Sequence, residues 1–233
     1  MAKDAKVEAV GANQELVSYV KAGYPLLYMV TPEESRAELE VLRVAQETKR
    51  GLMVWSVTEG LNDVVKKKVD KVFDPIQMLT KIRDVTDPYI FVLRDMHAFF
   101  KNPPVVRHLR DIARDFKQNK KNVIIISPVN QLPPELDRDV VIVDFDLPNR
   151  DQISEIWDYL RDSNKALFDE VGCDEDERDR IVQAAMGLTG VEAENAFAKA
   201  VTKFARSRTG TISKIVMIEK ANAVKKNGIL EYY

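Results

Sequence analysis

The chain has 233 residues, 45% of them hydrophobic and 31% charged, enough for one α/β domain with a helical appendage and too many for a mini-domain that needs staples. A formal net charge of −2 and a pI near 5.9 exclude a global field that would draw nucleic acid or acidic lipid. The single cysteine, Cys173, sits in the acidic run Cys173-Asp174-Glu175-Asp176-Glu177; it has no partner for an internal disulfide or a cysteine-based metal site, and it suits a reducing cytosol.

The opening MAKDAKVEAVGANQEL lacks the apolar core of a secretory signal. No run approaches the roughly 18 apolar residues of a membrane span. A cytoplasmic protein without membrane segments is expected.

Four continuous apolar runs bounded by turn residues read as buried strands: Pro25–Val30, Leu52–Val57, Tyr89–Leu93 and Val123–Ser127. A fifth, Val140–Phe145, follows a proline-rich bend. Between them lie helix signals. Thr31-Pro32-Glu33-Glu34 offers a cap, a first-turn proline and a glutamate three after the cap. Asp74-Pro75-Ile76-Gln77 repeats that logic, and Asn149 with Gln152 repeats it again. After Asn102-Pro103-Pro104, the spacing of Val105, Leu109, Ile112, Ala113 and Phe116 is helical. Strand and helix alternating five times imply a mostly parallel sheet covered on both faces. From Asn149 onward only helical segments follow, over 150–163, 175–186, 191–208 and 212–226.

Several segments resemble one family. VIVDFDLPNRDQISEIWDYL (Val141–Leu160) looks like the last core strand of an AAA ATPase entering its lid, and MGLTGVEAENAFAKAV (Met186–Val201) resembles the lid's helix pair. NVIIISPVNQLPPEL (Asn122–Leu136) is similar to the strand and loop of the first sensor, and YIFVLRDMHAFF (Tyr89–Phe100) takes the place of the Walker B strand. More narrowly, GYPLLYMVTPEE, GLMVWSVTEGL and the ending IEKANAVKKNGILEYY resemble the degenerate N-terminal domain of two-part AAA proteins of cyanobacteria, plastids and phages. The resemblance implies a P-loop NTPase-like α/β body with a five-stranded, mostly parallel sheet over 1–148. It implies a small all-helical lid over 149–210, and a C-terminal helix and linker over 211–233 that precedes the family's true ATPase module.

The family's phosphate loop is not in the sequence. No GxxxxGK[ST] occurs anywhere, and Val30-Thr31-Pro32-Glu33-Glu34-Ser35 follows the first strand. A helix start normally attracts phosphate through free N–H groups, but here Thr31 and Glu34 would consume donors as a capping box and Pro32 removes one. Two carboxylates would stand near the polyphosphate position, each opposing it by several kcal/mol at most at ~4 Å. By the resemblance, Asp95 is the surviving Walker B aspartate and Met96 replaces the water-orienting glutamate, so hydrolysis would lack its base. Ser127 or Asn130 falls at the first-sensor position, with turn chemistry around Pro128 and Pro133-Pro134 an equal explanation.

Thr31, Glu34, Asp95 and Ser127 thus form a vestigial site region, with no catalytic residue, metal ligand or cofactor expected. His97 could reach the strand ends but reads as a partly buried or surface histidine, and His108 as a surface one. Arg138, near the family's subunit-bridging arginine, reads as a salt-bridging surface residue. Lys66-Lys67-Lys68, Lys117 through Lys121 and Lys214 through Lys226 read as solvated faces.

The resulting expectation is a non-catalytic AAA-like domain for assembly, partner docking or regulation, with protein partners, self-assembly or an adjoining AAA motor. Two alternatives carry different chemistry: a clamp-loader-like accessory subunit on DNA, and an ATPase domain with non-standard motifs. A flavodoxin-like phosphoacceptor domain using Asp95 fails on the helical lid and on Leu147-Pro148-Asn149, where a lysine would be required.

Overall fold

Residues 13–226 are described by the computed structural model, and they divide into two units at Phe145 and Asp146. In chain order the first unit runs α1 (Gln14–Lys21), β1 (Leu26–Val30), α2 (Glu34–Glu47), β2 (Gly51–Ser56), β3 (Gly60–Asp63) and β4 (Lys68–Asp70). It continues with α3 (Pro75–Asp84), β5 (Tyr89–Arg94), α4 (Pro103–Phe116), β6 (Asn122–Ser127) and β7 (Val140–Val143).

The seven strands form one sheet in the order β4-β3-β2-β5-β6-β1-β7. The five expected strands are its parallel part, β2 through β7. The sheet is larger than expected, because β3 and β4 extend it as antiparallel neighbours of β2. At four and three residues they are too short to show an alternating pattern, and Asn62, Asp63 and Lys68 are poor strand formers. Gly60, at φ +79°, makes the return from β2 possible: a Cβ there would lie 2.4 Å from the Asp70 carbonyl oxygen. Trp55 Nε1 donates to the Val72 carbonyl at 2.7 Å, and the Tyr89 hydroxyl donates to Asp63 at 2.8 Å, so the hairpin is tied to the core.

Both faces of the sheet are covered, which explains the continuous apolar runs. Leu27, Met29, Ile90, Val92, Ile124 and Ile126 pack under α1 and α2. Their alternates, including Tyr28, Phe91, Leu93, Val123 and Ile125, pack under α3 and α4. The helix α1 is not among the expected elements; Asn13 caps it, its Oδ1 accepting from Glu15 and Leu16 N–H at 3.0 Å each.

The cap at Asp74 forms as expected, accepting from Gln77 N–H at 2.8 Å. The one at Thr31 does not. Thr31 N–H donates to the Ser127 carbonyl at 2.8 Å, so the β1–β6 ladder runs through it, and its hydroxyl accepts from Glu33 N–H at 3.1 Å. Helix α2 begins only at Glu34, and Glu33 stands before it without a side-chain capping bond. Strand pairing outcompetes the cap.

Lys121 also departs from the solvated reading. It is 3% exposed, and its ammonium donates to the carbonyls of Arg83 and Val85 at 2.9 and 2.7 Å, at the carboxyl end of α3. There it satisfies orphan carbonyls and complements the helix dipole. Burial lowers its pKa from the usual lysine range.

The second unit contains α5 (Arg150–Ser163), α6 (Lys165–Val171), α7 (Glu175–Ala185), α8 (Gly190–Ser207) and α9 (Ile212–Lys226). Only the short α6 is absent from the expected helices. Asn149 closes a full capping box, its side chain accepting from Gln152 N–H at 2.9 Å while Gln152 Oε1 accepts from Asn149 N–H at 3.1 Å. Asn149→Ala is expected to cost about 1 kcal/mol, measurable as a lowered midpoint in urea followed by helix content. A second box, Thr189 with Glu192, opens α8. The core of this unit is centred on Trp157, Phe168 and Phe197, and α9 contributes Ile212, Ile215 and Val216 to it. The expected linker character of 227–233 lies outside the described residues. No helix among the described residues is long and apolar enough to cross a membrane.

Candidate functional site

In open parallel sheets, sites gather at the carboxyl ends of the strands. Here that edge collects Thr31 and Glu33 after β1, Glu59 after β2, Arg94 and Asp95 at the end of β5, and Ser127 at the end of β6. Arg94 dominates it. It is the last residue of β5; its side chain is 22% exposed and its guanidinium meets three carboxylates. It binds Glu38 in a two-pronged pair through Nε and Nη2, the latter at 2.8 Å, reaches Glu59 at 2.8 Å through Nη1, and lies 3.4 Å from Glu34. The hydrogen bonds it donates to Glu38 push its pKa above the usual arginine range. Such bidentate pairs fix geometry as well as charge.

Glu34 and Glu38 lie one turn apart on α2, so Arg94 clamps the start of that helix to the sheet. Burial raises the pKa of Glu34; Arg94 pulls it down, while Glu38, Asp95 and Glu59 raise it further. Glu33 is 6% exposed and pairs with Arg36 at 2.5 Å, whose guanidinium stacks 4.0 Å over Phe145.

Met96 is fully buried, in the core on the α3 and α4 side of the sheet. The consecutive residues at the strand's end are Arg94 and Asp95. Asp95 has a left-handed backbone (φ 51°) and makes no capping hydrogen bond with its side chain. That conformation is sparsely populated for a non-glycine residue. Its carboxylate stands 3.8 Å from His97 Nδ1.

His97 does reach the strand ends, 2.8 Å from the Ser127 hydroxyl. Ser127 is 1% exposed; its hydroxyl also donates to the Val129 carbonyl at 2.9 Å and accepts from Val129 N–H at 3.3 Å. Tyr28 donates to the same carbonyl at 2.7 Å. Ser127 is thereby committed to shaping its loop. Asn130 points to solvent.

The structure thus brings Glu34, Asp95 and Ser127 to one edge and adds Arg94, Glu38 and Glu59. Those three carry no signal in the sequence, since their pairing spans 56 and 35 positions. Arg94 is engaged by carboxylates, and the start of α2 carries further negative charge at Glu33 and Glu34. Among the described residues no three His, Cys, Asp or Glu side chains are placed to hold a metal ion.

Other expected positions differ from their readings. Arg138 is exposed, and among the described residues no carboxylate lies within 4.0 Å of it. His108 is half-buried, with Nδ1 shielded from solvent and unpartnered. Burial, reinforced by Glu177 and Asp174, pushes the Cys173 thiol up to about 11. Ellman's reagent is therefore expected to react slowly with the native chain at neutral pH and quickly once urea unfolds it; equal rates in both states would contradict the shift.

The profile of the SpoVK-like AAA ATPase N-terminal domain matches residues 12–145, and that of the second domain of the same proteins matches residues 151–227. The chain belongs to that family. Its curated relatives include the "Uncharacterized AAA domain-containing protein ycf46" of Trieres chinensis, 26% identical over 224 residues, and that of Guillardia theta, 27% identical over 217. These alignments cover 95% and 92% of this SpoVK-like chain but 44% and 42% of the relatives, so it spans less than half of their length. Among solved structures, the FIGL-1 AAA domain in complex with ADP superposes with a TM-score of 0.56 at 12% identity, covering 79% of this chain and 62% of that one. The Thermotoga maritima RuvB Holliday junction branch migration motor gives 0.55 at 14%, covering 89% and 68%. At these identities the likeness establishes the AAA fold alone.

Proposed function

We propose that this SpoVK-like AAA chain is a non-catalytic module that serves assembly, partner docking or regulation of an AAA ATPase module. The observation that carries this reading is Arg94, clamped by Glu38, Glu59 and Glu34 at the strand ends. In a nucleotide-binding AAA domain, phosphate and magnesium join the helix after the first strand to the Walker B strand. Here an internal ion-pair cluster makes that connection between α2 and β5. The carboxylates of this cluster oppose a polyphosphate at this edge.

The test is a calorimetric titration of the intact chain with ATP and magnesium, beside a phosphate-release assay. No magnesium-dependent heat and background phosphate release are expected. Micromolar binding that requires magnesium and changes in Glu34→Gln would overturn the reading.

A further inference from the structure

At the opposite edge of the sheet, where β1 and β7 begin, lies a cavity of about 600 Å³. Arg110 and Arg114 from α4 and Lys117 just after it line it, together with Arg138 from the turn before β7 and Tyr24 from the turn before β1. Lys117 and Arg138 lie 21 positions apart and read in the sequence as part of a solvated face and as a salt-bridging surface residue; the fold joins them.

The charge there is unbalanced. Asp139 is the one carboxylate of the lining, and it lies 3.6 Å from Arg110. Arg114 touches Asp111 and Asp115, at 3.3 and 3.8 Å, outside the cavity. Neither Lys117 nor Arg138 has a carboxylate within 4.0 Å among the described residues. Cations converging on a concave surface focus a positive potential even in a chain of net negative charge.

The remaining wall is apolar and partly aromatic. Tyr24 is 42% exposed and is held edge-on by Tyr19, their ring centroids 5.1 Å apart. Pro25, Ala113 and Val141 complete that side. A flat ring can lie on such a wall while phosphates reach the arginines, which suit them through their planar fork of donors.

We propose that this cavity binds a nucleotide-class anion, its phosphates on Arg114, Lys117 and Arg138 and its ring against Tyr24. The site is separate from the strand-end cluster, and its cations want phosphates not already neutralised by a metal. Magnesium therefore weakens binding here, whereas a nucleotide at the strand ends would require it.

The experiment is calorimetry on the intact chain at low salt, using magnesium-free ADP, inorganic pyrophosphate and a ten-thymidine oligonucleotide as separate probes. ADP is expected to bind with a Kd below about 1 mM, weakening about tenfold in Lys117→Glu/Arg138→Glu and less in Tyr24→Ala, with no change in Glu34→Gln. Circular dichroism confirms that each variant folds. Absence of ADP binding, or binding indifferent to the Lys117 and Arg138 reversals, overturns the proposal and leaves the strand-end reading standing. Pyrophosphate binding as tightly as ADP overturns the ring's place on Tyr24. Oligonucleotide binding without ADP binding overturns a small-ligand site in favour of a nucleic-acid surface. Binding that needs magnesium and responds to Glu34→Gln overturns the proposed function as well.

Discussion

Trp157→Ala is expected to destabilise the helical unit by about 3–5 kcal/mol, the usual cost of emptying a buried tryptophan site. Trp157 is 1% exposed and meets Phe168 and Phe197 edge-on, with ring centroids 5.0 and 5.2 Å away. It therefore joins α5 to α6 and α8, and its loss removes two aromatic contacts in addition to apolar area. Since a domain's whole stability is about 5–15 kcal/mol, one such change brings a small helical unit close to unfolding. The chain has two tryptophans, and the other, Trp55, is buried in the core of the sheet. In Trp157→Ala the remaining emission reports on the sheet alone. Helix content should fall in urea before Trp55 emission shifts, and Trp157→Phe should restore much of the gap. A single transition at the parent's midpoint would show that Trp157 is not central to this core.

The parallel sheet is legible because each strand buries both faces. Continuous runs such as Val123–Ser127 are a long-range fact written in local sequence. The helix starts at Asp74 and Asn149 are legible for a similar reason, since their bonding partners lie within three residues. Thr31 shows the limit of that logic. Its local sequence is as good a cap as Asn149, but β6 lies alongside and takes its N–H, a competitor that no window around Thr31 contains. Met96 shows another limit. Which way a residue at a strand's end faces depends on where the strand ends, and Met96, one past Asp95, is buried in the core. Arg94 is the plainest case, because nothing in YIFVLRDM marks it as the hub of Glu34, Glu38 and Glu59. Lys121, Lys117 and Arg138 all read as surface charge, yet one ends a neighbouring helix and two share a cavity.

Arg94→Ala should cost about 2 kcal/mol at neutral pH, below the 3–5 typical of a fully buried ion pair, because the side chain keeps 22% of its surface in water. The loss is not mainly that of the attraction. It comes from leaving Glu34 and Glu38 half-buried and facing one another with their shared cation gone. This origin gives the variant a pH signature that a packing defect would lack. Glu34 already has its pKa raised in the folded chain, with Arg94 the group that pulls it down. Without Arg94 the pKa rises further, and the folded state holds its proton to higher pH than the unfolded chain, whose glutamates titrate near about 4.3. A carboxyl raised on folding contributes its stability when protonated, below the unfolded value, and loses it as the pH rises through the folded one. The deficit of Arg94→Ala should therefore narrow as the buffer is taken from pH 7 to pH 5 and reopen on return. Glu34→Gln placed in the same background should recover part of the loss at pH 7. Arg94→Lys, which keeps the charge but cannot make the two-pronged pair with Glu38, should fall between the parent and the alanine variant. Urea midpoints at both pH values decide it: a deficit equal at pH 7 and pH 5 would assign Arg94 to packing and remove the ion-pair clamp as the element that joins α2 to β5.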